Sequence, residues 1–297
     1  MGLVSVDRIH TARELLTGVI RETPMERSRV LARRHGGEVY LKCENLQRTG
    51  SFKIRGAYNR IHGLSEAERV AGVVAASAGN HAQGVALAAT LLGTKATVFM
   101  PASAPLPKLA ATKAYGAEVY AQGAVLEEAL TEAKAFAEQT GAVFIHPFDH
   151  VDVVAGQGTV GLEILDQLPD VVTVVVAAGG GGLVSGIAAA VKALRPEARV
   201  VAVQAEAAAA LPASLAAGAP VRLAAMHTMA DGIAVGEPGR VTYAHIAELV
   251  DEVLTVSEES LSRAVLLCLE RAKLTVEPAG AAAVAALLQY PGRFAAP

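Results

Sequence analysis

The feature that most restricts the fold is an alternation running through most of the chain: short runs rich in β-branched residues, each followed by an alanine-rich segment with helical spacing. The runs at 39–43, Val73–Ala76, Ala96–Met100, Glu118–Ala121, 171–178, 200–204 and Glu252–Val256 read as strands. Helices lie between them. Leu126, Ala129, Leu130, Ala133 and Ala137 keep one apolar stripe, while Glu127, Glu128, Glu132, Lys134 and Glu138 take the other face. Gly93 and Gly141 stand where a helix would end on a left-handed residue. Strands alternating with helices predict an α/β architecture of mostly parallel sheets with helices on both faces, whose ligands bind beyond the carboxyl ends of the strands. No linker or repeat divides the 297 residues, so two lobes are expected to be interwoven. Crossings near Gly50 and His150 predict a large domain from 1–50 and 150–297 and a small one from 51–149.

Composition removes several classes of function. With 52% hydrophobic and 19% charged residues the chain can bury a core and is not a solvated coil. Its 26 basic and 29 acidic residues leave a net charge of −3, which draws it to neither nucleic acid nor an anionic membrane surface. The uncharged stretch 171–191 is long enough to span a bilayer, but Gly179, Gly180, Gly181 and Gly182 interrupt it, each costing a continuous helix about 1 kcal/mol. It reads instead as a buried strand, a turn and a helix beginning near Leu183. Two cysteines, Cys43 and Cys268, allow at most one bridge, and no basic and apolar leader follows Met1, so a reducing cytoplasmic setting is expected.

Function is therefore sought in strand-to-helix loops. The four glycines at 179–182 run straight into a helix, leaving consecutive backbone N–H groups open to a close-approaching anion. A tight turn needs one or two glycines; four read as a phosphate cradle. The segment fits G-x-G-x-x-G in no register and the chain has no Gly-Lys pair, so a phosphate other than a nucleotide's is expected. A second loop, Thr49-Gly50-Ser51-Phe52-Lys53, opens a helix with Ser51 as its expected N-cap. Phe52, Ile54, Ala57, Tyr58 and Ile61 make an apolar face around the Lys53 amine. Desolvation and a helix N-terminus disfavour its ammonium form, as an amine that attacks a carbonyl requires. A third loop, Ser77-Ala78-Gly79-Asn80-His81, gathers a hydroxyl, an amide and backbone N–H groups at a helix start, which suits a carboxylate or a phenolate oxygen. A covalent amine, a phosphate cradle and a carboxylate pocket together call for a cofactor with an aldehyde and a phosphate: pyridoxal phosphate.

Five ordered motifs also carry a resemblance. They are Ser51-Phe52-Lys53-Ile54-Arg55-Gly56-Ala57, Ser77-Ala78-Gly79-Asn80-His81-Ala82-Gln83-Gly84, the tetraglycine, Ala230-Asp231-Gly232 and Glu277-Pro278-Ala279-Gly280-Ala281. From about Val6 to Leu288 the chain resembles the threonine dehydratase and serine racemase branch of the fold type II pyridoxal-phosphate enzymes. The resemblance implies a tryptophan synthase β-like fold of two interwoven three-layer α/β/α domains, and a homodimer. It implies that Lys53 bonds covalently to the cofactor and that Gly179, Gly180, Gly181 and Gly182, with Leu183, hold the phosphate. By the same resemblance Phe52 packs by the ring, Asn80 bonds the phenolic oxygen, and Gly232 and Glu277 line the far side. Ser77, Ala78, Asn80 and His81 form the pocket for the substrate carboxylate. The implied reaction is dehydration and deamination of L-threonine, with L-serine, to 2-oxobutanoate or pyruvate and ammonia. Serine racemase and 3-hydroxyaspartate dehydratase are alternatives within the branch. More distant ones are a β-replacement enzyme, whose lysine motif typically reads Ser-Val-Lys-Asp-Arg, and a catalytically silent binding module.

Three departures from the family pattern matter. Serine racemases place a second serine where this chain has Ala78, so elimination is expected over racemisation. Some relatives bind a divalent cation through a carboxylate, a carbonyl four residues on and a further acid. Glu206 and Ala210 fit the first two positions but Pro212 replaces the acid, so Mg²⁺ or Ca²⁺ would lean on water. The family's terminal Ser-Gly-Gly-Asn-like turn, whose serine bonds the pyridine nitrogen, has no match before Pro297, and no regulatory extension follows. The ring nitrogen is then expected to find another partner, and feedback through such an extension is not expected.

Overall fold

Nine strands form among the residues described, 2–294, of a computed structural model. They are β1 (Met25–Arg27), β2 (Tyr40–Lys42), β3 (Val73–Ala76), β4 (Ala96–Met100), β5 (Glu118–Ala121), β6 (Val143–Phe144), β7 (Thr173–Ala177), β8 (Arg199–Ala205) and β9 (Glu252–Val256). The chain divides into two units. One gathers Met1–His10, Glu22–Asn45 and Phe148–Pro297; the other gathers Thr11–Arg21 and Leu46–Pro147. Residues 295–297, at the end of the stretch without a serine turn, lie outside the described residues.

In the Leu46–Pro147 unit the sheet runs β5-β4-β3-β6 with every pair parallel, Val73 opposite both Ala96 and Val143. All four residues of β3 are buried because helices cover both faces. Side chains alternate across a strand. Val73 and Ala75 therefore join Ile54, Ala57 and Ile61 of the Lys53–His62 helix and Ala82, Val85 and Ala86 of the Asn80–Leu91 helix. Val74 and Ala76 join Ala129 and Ala133 of the Leu126–Thr140 helix on the other face. That helix ends on Gly141 in the left-handed conformation expected there.

The other unit holds a parallel sheet, β7-β8-β9. Val203, Ala205 and Val256 pack with Leu261 and Ala264 of the Glu258–Leu267 helix and with Ala281 and Ala285 of the Pro278–Gln289 helix. The Gly182–Leu194 helix lies against β7, β8 and the Val151–Gln167 helix. There the backbones approach so closely that a Cβ on Gly158 would stand 3.0 Å from the Gly186 carbonyl oxygen.

The run read at 39–43 is not part of this parallel sheet. Its central residues form β2, paired antiparallel with β1, a strand the sequence did not announce. In β2, Lys42 is buried against Glu163, with Nζ 2.6 Å from Oε2, and it also donates to the Thr23 carbonyl at 2.7 Å and to Gln167 at 3.0 Å. Such a pair is tolerable in the interior because both charges are matched and further hydrogen-bonded. Among the described residues no helix is long and apolar enough to cross a membrane, and the 171–191 stretch is the strand, glycine turn and helix expected.

Candidate active site

Lys53 is the first residue of its helix. The residue before it, Phe52, occupies the cap position in helical conformation and offers no side-chain bond, so Ser51 is not the N-cap its residue type suggested. The Ser51 hydroxyl is instead buried, with no hydrogen-bond partner among the described residues. The Lys53 amine is half-buried; it donates to the Pro147 carbonyl at 2.9 Å and stands 5.3 Å from the centre of the Phe52 ring, within reach of a cation–π attraction.

The Ser77–His81 loop belongs to the same unit. It leaves the carboxyl end of β3 and enters the Asn80–Leu91 helix, whose cap position is Gly79. Ser77 Oγ accepts from the Gly79 N–H at 3.1 Å, which folds the loop back on itself and still leaves the hydroxyl proton free to donate. Ser77, Ala78, Gly79 and Asn80 are all half-exposed, so their polar groups are open to a ligand. His81 is different. It is buried, and its Nε2 donates at 2.8 Å to the Ile145 carbonyl. Burial, followed by the repulsion of the nearby Lys53 ammonium, pushes its pKa down to about 3, so the imidazole stays neutral. The polar group His81 has in hand is its main-chain N–H in the first helical turn.

A pH dependence follows from this. The unfolded chain takes up a proton at the ordinary value near 6.5 and the folded one does not until about 3, so stability falls as the pH drops below 6.5. Chemical denaturation of wild type and His81→Gln should show the wild type losing more stability between about pH 7 and pH 5. His35 and His245, whose pKa values burial also lowers, are common to both proteins and cancel in the comparison. Equal losses would mean that the His81 proton does not drive the change.

In the other unit, the tetraglycine joins β7 to the Gly182–Leu194 helix. Its conformation is imposed from beneath. A Cβ on Gly180 would run into the Phe148 ring, one on Gly182 would stand 2.9 Å from Phe148 Cβ, and Gly181 has φ +96°. Two carbonyls are tied back to the protein: Gly180 accepts from Thr242 Oγ1 at 2.6 Å and Gly179 from Gln204 Nε2 at 3.3 Å. In a trans peptide the N–H points opposite to the carbonyl, so the N–H groups of Gly180 and Gly181 face away from those anchors. Leu183 follows in the first turn, where helix N–H groups have no intrahelical acceptor and the helix dipole favours an anion. This donor set fits a phosphate group. The Asp149 carboxylate in turn caps the Arg240–Leu249 helix that carries Thr242, accepting from the N–H groups of Arg240, Val241 and Thr242.

The remaining cofactor residues read from the sequence fall in the same unit. A Cβ on Gly179 would stand 2.9 Å from Ile233 Cα, and one on Gly232 would stand 3.1 Å from Glu277 Oε1. The tetraglycine, the Asp231–Ile233 turn and Glu277, which caps the Pro278–Gln289 helix, are thus contiguous. Phe148, Asp149, Gln204 and Thr242 escaped the sequence reading because each acts by tertiary contact and none belongs to a glycine-rich or lysine motif. Glu206 is exposed in a short 3₁₀ turn and Ala210 begins the Ala210–Ala217 helix. Among the described residues no group of three or more His, Cys, Asp or Glu assembles that could hold a metal ion.

The chain is similar to known enzymes along most of its length. Residues 16–297 match the family model described as pyridoxal-phosphate dependent enzyme. An L-threonine ammonia-lyase of Thermotoga maritima is 51% identical over 96% of this chain and 71% of its own length. The catabolic L-threonine dehydratase TdcB of Escherichia coli is 46% identical over 96% of this chain and 87% of its own. Among solved structures, a threonine deaminase from T.th. superposes with a TM-score of 0.92 at 44% identity, covering 97% of this chain and 94% of that one. Maize serine racemase gives 0.93 at 38% identity, covering 97% and 87%.

Proposed function

The chain belongs to the pyridoxal-phosphate dependent enzyme family, and from that premise we propose that it dehydrates and deaminates L-threonine, and L-serine with it, to a 2-oxo acid and ammonia. The observation that carries the reading is the meeting, within one unit, of a primary amine at a helix start with the Ser77–His81 loop, whose donors suit a carboxylate. Support comes also from the likeness to an L-threonine ammonia-lyase over 96% of the chain.

Pyridoxal phosphate, when bound, supplies an aldehyde for amines and a conjugated ring that delocalises the electrons left at Cα. Lys53 would hold the aldehyde and, released by the incoming amino acid, take the α proton on its freed amine. Phe52 would pack by the ring and Asn80 would donate to the phenolic oxygen. Ser77 Oγ, the Asn80 amide and the His81 N–H would orient the substrate through its carboxylate. Gly179 to Gly182 and Leu183 would hold the phosphate, with Gly232 and Glu277 along the far side of the ring. The β hydroxyl departs with a proton as water, and water then returns to Cα as the nitrogen leaves as ammonia. L-threonine thereby becomes 2-oxobutanoate plus ammonia, with no net change in oxidation state.

Alanine at 78, where serine racemases carry a serine, would offer no proton to Cα from that position, which favours elimination over racemisation. Incubation of the cofactor-loaded protein with L-threonine should release 2-oxobutanoate and ammonia in equal amounts, and with L-serine pyruvate without comparable D-serine. Absence of any oxo acid, or D-serine formed as fast as pyruvate, would overturn the reading.

A further inference from the structure

Lys53 and the asparagine loop lead into two helices that pack against each other, with Gly84 at a close backbone approach between them. A Cβ placed on Gly84 would stand 3.0 Å from the Lys53 carbonyl carbon, 3.2 Å from Lys53 Cβ and 3.2 Å from the Ile54 nitrogen. Backbone, rather than the tip of a flexible side chain, lies in the way on two of these three lines. Gly84 is also four residues beyond Asn80 in the same Asn80–Leu91 helix, hence on the same face one turn further along. The contact therefore joins the residue bearing the amine to the helix turn bearing the amide.

We infer that Gly84 is a positioning residue that sets the separation between the Lys53 amine and the Asn80 amide. The inference rests on the functional reading above and deepens it. The aldehyde and the phenolic oxygen of pyridoxal are borne on neighbouring ring carbons, so the two groups that meet them must keep one fixed spacing. Any side chain at 84 wedges the helices apart by a few tenths of an ångström. The movement falls on the first turn of the lysine helix, because Phe52 anchors that end with no side-chain bond. Displacements of this size approach the roughly 0.5 Å within which reacting groups must be held.

The test is Gly84→Ala in the cofactor-loaded enzyme. Alanine is the better helix former, which offsets part of the overpacking at this contact, so the variant should fold and melt within a few degrees of the wild type. The expected result is a kcat for L-threonine lowered about threefold to tenfold, with KM changed far less. The visible absorbance of the Lys53-bound cofactor should shift in wavelength or in its pH midpoint, and borohydride trapping at Lys53 should slow. Unchanged kcat and absorbance would overturn the inference. So would a variant that fails to fold or melts far lower, since the contact would then serve the fold rather than the lysine. A wild type forming no trapped adduct at Lys53 would fell the functional reading and this inference together; wild type and variant alike in spectrum and rate would fell this inference alone.

Discussion

Replacing Lys53 with alanine should remove the covalent link to the cofactor and lower L-threonine turnover by at least about a thousandfold. One side chain would otherwise hold the aldehyde and move the α proton, and general base catalysis alone typically contributes 10²–10⁴. The helix is held chiefly by Ile54, Ala57 and Ile61 in the core, whereas Lys53 is only half-buried. The thermal midpoint should accordingly move little. Mass spectrometry after borohydride reduction should find pyridoxyl on a Lys53 peptide in the wild type and on no peptide of the variant. Reduction that labels another lysine equally well in both proteins would remove Lys53 from its proposed role.

Gly181→Ala should have the next largest effect, on affinity for the cofactor. Position 181 has φ +96°, a region that an L side chain enters at a cost of roughly 1–2 kcal/mol. The new Cβ would also stand 2.6 Å from Ile246 Cδ1 and 3.0 Å from Thr242 Cβ, an overpacking worth about 1–3 kcal/mol more. Thr242 is the residue that ties back the Gly180 carbonyl, so the strain is expected to turn the N–H groups out of line. The dissociation constant for pyridoxal phosphate should rise about tenfold or more, each 1.4 kcal/mol being a factor of ten. Excess cofactor should restore much of the activity, whereas pyridoxal without its phosphate should bind wild type and variant alike. Equal retention of the phosphate form by both would show that this loop does not hold it.

How much of this was legible beforehand depends on the length scale of the interaction. Val73–Ala76 and Ala96–Met100 were readable as strands because short runs, apolar but for Thr97 and bounded by turns, are what a sheet buried on both faces needs. β1 was not, since Met25-Glu26-Arg27 has no β-branched residue and is extended only by pairing with β2. β6 has two residues, too few for any period to show. At the site, the Lys53, asparagine and tetraglycine loops announced themselves through residue type at strand-to-helix junctions. The cap was misassigned to Ser51 because capping preference is statistical, and here the chain already turns helically at Phe52. The Ile145 carbonyl that engages His81 lies 64 residues away, and Thr242 lies 62 from the carbonyl it binds, distances over which one sequence carries no local signal.

The way the chain is shared between its two units has a consequence for biosynthesis. Apart from Thr11–Arg21, which emerges earlier, the second unit is one uninterrupted stretch, Leu46–Pro147. Its four-stranded sheet can close on the ribosome as soon as that stretch clears the exit tunnel. Residues 22–45 must wait, because Lys42 meets its counter-ion Glu163 only after more than a hundred further residues have been translated. At typical elongation rates that delay is on the order of ten seconds. During it the Lys42 ammonium stays hydrated in the nascent chain, and its desolvation waits until the Val151–Gln167 helix brings Glu163 to it.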